Sequence, residues 1–140
     1  MTQIDFYTHV ENKFQLACML SAKALEHHMR VMIYTPDQAT NELMDELLWS
    51  SSATAFLPHC APRHELAAQT PILIDHNADT LLHDEVLLNL RSDHPAFFSR
   101  FQRLIEIVGS DENDRQSARE RYRFYRDRGY EIRSHDMSKS

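Results

Sequence analysis

A chain of 140 residues with 42% hydrophobic and 26% charged residues has the make-up of one ordinary globular domain rather than of a disordered chain. Its 15 Lys and Arg against 21 Asp and Glu leave a net charge of −6, so the body of the molecule repels a long polyanion. With only two glycines, Gly109 and Gly129, neither a P-loop nor a G-x-G-x-x-G turn can be written, which excludes the common nucleotide-binding loops.

The opening residues carry no basic stretch followed by an apolar one, and no apolar run reaches the length of a bilayer span. A cytoplasmic, non-membrane protein is expected, with Cys18 and Cys60 as free thiols. "QIDFYTH" (3–9) alternates apolar and polar and predicts a first strand. Residues 11–28 place Phe14, Ala17, Cys18, Ser21, Ala22 and Leu25 at helical spacing. "RVMIY" (30–34) reads as a second strand. Thr35-Pro36-Asp37-Gln38 then has the form of a helix start, with Thr35 as cap, for a helix reaching about Trp49. Residues 53–59 and 71–76 predict strands on either side of a polar turn region at 62–70. Further on, 85–90 predicts a strand, 95–101 a short helix and 103–109 a strand ending at Gly109. A last long helix is expected from about 111 to 128, with Gly129 just past its end. This is an α/β pattern: a single domain over 1–135, with a mainly parallel central sheet flanked by helices. The layering is Rossmann-like without a nucleotide-binding loop, and a frayed tail follows at 136–140.

Chemistry is scarce along the chain. His59, Cys60 and His64 lie close in sequence, but a structural zinc site needs a second ligand pair and none is present. His27 and His28 are neighbours on a helix and point about 100° apart, so they do not chelate together. No G-x-S-x-G elbow and no H-E-x-x-H motif occurs. Asp75, Asp79, Asp84 and Glu85 fall in a loop, where acids are ordinarily solvated. No catalytic residue, metal or cofactor is expected.

The segment "RQSARERYRFYRDRG" (115–129) is different. Six arginines face two acids, Glu120 and Asp127, so the window carries +4 and leaves −10 for the rest of the chain. At helical spacing Arg115, Arg119, Tyr122, Arg123 and Arg126 share one face, with Ala118 at its edge and both acids elsewhere. A solvated helix face is the plain structural alternative. As a binding surface, the stripe suits single-stranded nucleic acid, a nucleic-acid duplex contacted through its backbone, or an acidic peptide whose carboxylates pair with guanidinium forks. The acidic remainder favours the short peptide, because only an extended polyanion must pass over the rest of the surface.

The chain resembles the chi subunit of bacterial DNA polymerase III. The resemblance rests on "FYTH" in the first strand, "DELLWSSSATAFLPH" (45–59), "VLLNLRSDHPAFFSRFQRLIEIV" (86–108) and "ARERYRFYRDRGY" (118–130), which run in order over nearly the whole chain. It implies a single α/β domain and a non-enzymatic adaptor of the replisome. Such an adaptor binds the acidic C-terminal tail of single-stranded-DNA-binding protein and is tethered to the clamp loader by the psi subunit. Carried over to this sequence, the tail site would use Arg115, Arg119, Tyr122, Arg123 and Arg126, with Val108 as an apolar contributor. The psi contact would involve Trp49, Phe56 and Pro58, a surface that a helicase-type partner could use instead. No duplex-DNA contact is implied; direct single-strand binding by the same helix is the alternative function.

Overall fold

Apolar residues recur on both sides of nearly every strand, the pattern of a sheet covered on its two faces. The computed structural model describes residues 1–51, 59–62, 64, 70–77 and 81–138. In chain order the elements are β1 (Gln3–Val10), α1 (Lys13–Glu26), β2 (Val31–Tyr34), α2 (Gln38–Ser50), β3 (His59–Cys60) and β4 (Ile72–Asp75). There follow β5 (Val86–Asn89), a 3-10 turn (Phe98–Arg100), β6 (Arg103–Gly109), α3 (Glu112–Asp127) and β7 (Ile132–Asp136). The strands form one seven-stranded sheet in the order β3-β4-β2-β5-β6-β1-β7. Every pairing in it is parallel. The α/β expectation is met.

Strand alternation sorts the core into two layers. Ile105 and Ile107 of β6 face α1 and α2, joined there by Val31, Ile33, Ile72, Ile74, Val86, Leu88, Met44 and Leu48. Leu104 and Val108 face the opposite way, with Ile4, Phe6, Leu87, Phe98, Ala118 and Tyr125. Helix α3 therefore covers the other face of the sheet, lying over β6 and the neighbouring β1.

Several boundaries differ from expectation for physical reasons. Helix α2 is capped by Asp37, not Thr35: the Asp37 carboxylate accepts the Thr40 N–H at 2.8 Å and the Thr40 hydroxyl at 2.7 Å. A carboxylate is the stronger cap, and Thr35 is buried, its hydroxyl bonded to the Asn41 side chain. The short helix expected at 95–101 shrinks to a 3-10 turn, which puts buried Phe98 and Phe101, three residues apart, on one side. Only the end of the strand expected at 53–59 is described, as β3; residues 52–58 and part of the 62–70 turn region lie outside the described residues. Strand β7 was not anticipated, because "IRSHD" has almost no apolar content. Among the described residues it is an edge strand paired only with β1, where polar residues blunt the open edge. It runs through Asp136, and the Met137 N–H continues the ladder to the Thr8 carbonyl at 2.9 Å.

Candidate functional site

Helix α3 is fixed at both ends by its own sequence. Asp111 caps it by accepting the Asp114 N–H at 3.3 Å, and Glu112 and Asp114 in the first turn suit the positive end of the helix dipole. Asp114 also accepts the Gly109 N–H at 2.6 Å and pairs with Lys13 at 3.1 Å, tying the helix start to the end of β6 and the beginning of α1. At the far end Gly129 has φ +83°, and the Gly129 and Tyr130 N–H groups return to the Arg126 and Tyr125 carbonyls at 2.9 and 3.2 Å.

The inward face of α3 is mostly polar. Ala118, Arg121 and Tyr125 are its buried residues. Arg121 Nε donates to Glu106 Oε1 at 3.0 Å, and the Tyr125 hydroxyl donates to Glu106 Oε2 at 2.6 Å. Asn89 Nδ2 donates to both oxygens at 3.1 Å. Arg121 also reaches the Ser92 carbonyl at 2.8 Å and the Ser117 hydroxyl at 3.0 Å. Burial pushes the Glu106 carboxyl upward, and Arg121, Tyr125 and Asn89 pull it back. Burial and the neighbouring carboxylate hold the Tyr125 proton in place far above the ordinary tyrosine range. A helix docked this way has its rotation set by directional bonds, so the next residues around its circumference point in a fixed direction.

Those next residues form a groove. Arg115, Ala118, Arg119, Tyr122, Arg123 and Arg126 of α3 line one wall of an open cleft of about 390 Å³. Phe6, Thr8 and His9 of β1, Val108 of β6 and Ser134 of β7 complete it. All six residues expected at the tail site from the sequence, Val108, Arg115, Arg119, Tyr122, Arg123 and Arg126, meet here. The floor is apolar: Phe6, Val108 and Ala118 are buried, and Tyr122 packs edge-on against Phe6 with ring centroids 5.4 Å apart. The rim is cationic and exposed. One feature departs from the sequence reading: the stripe is not free of acids. Glu112 lies 3.6 Å from both Arg115 and Arg119, and Asp127 lies 3.3 Å from Arg126.

Sequence reasoning missed Phe6, Thr8, His9 and Ser134, which reach the groove through sheet pairing distant in sequence. His9 does so from a left-handed backbone conformation (φ 57°) at the irregularity where the β1–β6 register shifts. It also missed the Glu106 network. The available signal was a glutamate in the middle of the apolar run "RLIEIVG", since a buried charge requires a partner.

A family profile described as "DNA polymerase III chi subunit, HolC" matches residues 1–133. The chain belongs to this chi-subunit family. It is 33% identical over 98% of both chains to DNA polymerase III subunit chi of Pseudomonas aeruginosa. It is 28% identical to the subunit of the same name from Escherichia coli, over 94% of this chain and 88% of that one. With the Haemophilus influenzae subunit it shares 28% identity over 95% of this chain and 96% of the other. Membership of the chi family places the chain in DNA replication, among the accessory subunits of DNA polymerase III.

The second surface expected of a chi-family chain is partly in view. Trp49, near the end of α2, is 55% exposed, and its ring lies 4.3 Å from that of His59, which is itself 3.4 Å from the Asp45 carboxylate. Leu43, also on α2, is exposed. Phe56 and Pro58 lie outside the described residues. Among the described residues no group of three or more His, Cys, Asp and Glu side chains is placed to hold a metal ion. Nor is any helix among them long and apolar enough to cross a membrane.

Proposed function

We propose that this chi-family protein is a non-catalytic adaptor of the replisome. Its α3 groove binds the acidic C-terminal tail of single-stranded-DNA-binding protein, and the surface around Trp49 binds the psi subunit that tethers it to the clamp loader. The observation that carries the reading is the groove itself: four arginines on the rim of an apolar floor built from Phe6, Val108, Ala118 and Tyr122. A tail of that kind ends in a bulky apolar residue preceded by acids. It needs a pocket for the last side chain and cations for the carboxylates, and guanidinium forks can take these in bidentate pairs. An exposed Trp on α2 supports the second contact, since a large rigid ring left in solvent is a common interface anchor. A helicase-type partner could use that same surface where psi is lacking.

The test is charge reversal in the groove. Arg119→Glu should weaken binding of a short acidic peptide with a C-terminal phenylalanine by roughly tenfold or more, measured by calorimetry or fluorescence anisotropy. A variant that bound this peptide as tightly as the parent would sink the groove assignment. If the parent instead bound oligothymidylate at moderate salt and ignored the peptide, the helix would be a direct reader of single-stranded nucleic acid.

A further inference from the structure

Helix α3 has four acids within its length, Glu112, Asp114, Glu120 and Asp127, and they are differently employed. The Asp114 carboxylate is spent on the Gly109 N–H and Lys13. Asp127 pairs with Arg126, its neighbour in sequence. Glu112 alone bridges two groove arginines, one carboxylate oxygen to each: Oε2 to Arg115 Nη1 and Oε1 to Arg119 Nη1, both at 3.6 Å. Arg119 is two helical turns from Glu112, so it extends back along the groove wall to make this contact. All three side chains are substantially exposed, so the contacts are weak enough to be exchanged.

Resting on the groove reading above, we infer that Glu112 is a specificity-determining residue, an internal competitor for Arg115 and Arg119 that sets which anions the groove accepts. An incoming carboxylate or phosphate that takes either arginine displaces an oxygen of Glu112 and then lies beside its negative charge. A ligand that offers charge alone exchanges one pairing for another and gains little. A ligand that also places an apolar group on Phe6, Val108, Ala118 and Tyr122 gains burial that outweighs the displacement. The same carboxylate therefore lowers affinity for every anion and raises the selectivity for a peptide with an apolar end over a bare phosphate backbone.

The experiment compares Glu112→Gln with Glu120→Gln, which removes the same charge from the same helix at a residue that lines no part of the groove. Each is titrated with an acidic hexapeptide ending in phenylalanine and with a 20-residue oligothymidylate at fixed ionic strength. Glu112→Gln should tighten peptide binding by about two- to fivefold and strengthen oligothymidylate binding by a larger factor. Glu120→Gln should change both by much less. Equal effects of the two substitutions, with the peptide still bound by the parent, would overturn the role of Glu112 and leave the groove reading standing. A parent that binds no peptide removes the groove reading and this inference with it. Circular dichroism of both variants confirms that the helix start survives, since Asp111 still caps it.

Discussion

Glu106 stands in the middle of β6 with its side chain wholly buried, and the worth of its partners can be separated one by one. Arg121→Met leaves a buried carboxylate without its counter-charge and should cost about 3–5 kcal/mol of stability. Tyr125→Phe removes one hydrogen bond of several and should cost about 1–3 kcal/mol. Denaturant midpoints give both numbers. Adding Glu106→Gln to Arg121→Met should recover part of the loss, because the orphaned charge goes with it; a double variant less stable than Arg121→Met would show that the pair is not coupled as the geometry requires. The groove arginines were legible in the sequence because helical spacing alone brings them together. Arg121 and Tyr125, on the same helix, fall outside that stripe by the same spacing, but the partner they meet was not legible. Periodicity puts Arg121 on another side of the helix, but it does not show that this side meets a buried glutamate on another element.

Among the elements, α1 and α3 end in the same pair of hydrogen bonds with different residues at the left-handed position. After α3 that residue is Gly129, and after α1 it is His28 at φ 61°, with the His28 and Met29 N–H groups returning to Leu25 and Ala24 at 3.0 Å. A side chain in that conformation costs energy that glycine does not. His28→Gly should therefore stabilise the fold by about 0.5–1 kcal/mol, and Gly129→Ala should destabilise it by about 1 kcal/mol. Thermal melts of the two variants moving in the same direction would contradict this. The contrast explains which boundaries could be read in advance. The end of α3 was marked by its glycine, whereas α1 ends at a residue that carries no stop signal. Strand β7 was invisible for a related reason. An edge strand buries little and needs little apolar content, so its sequence resembles a loop, and only its pairing with β1 defines it.

At the scale of the whole molecule, positive charge is gathered on one helix while the remainder of the chain is acidic. On the proposed reading a short peptide meets only the groove, so its affinity should fall by less than about tenfold between 50 and 200 mM salt. A protein using six to ten phosphate contacts loses roughly 10³–10⁵ over the same range. A loss of that size for the peptide would mean that long-range charge, rather than the apolar floor, dominates binding. The docking of α3 carries a consequence for how such a protein can change over generations. Its anchorage comes from Arg121 and Tyr125 on the Glu106 carboxylate, while the groove is lined by their neighbours around the helix. On the groove reading, stability and recognition are thus written in separate letters of one word. Exchanging the exposed arginines would then retune affinity for a partner, while the helix that presents them stays where it is.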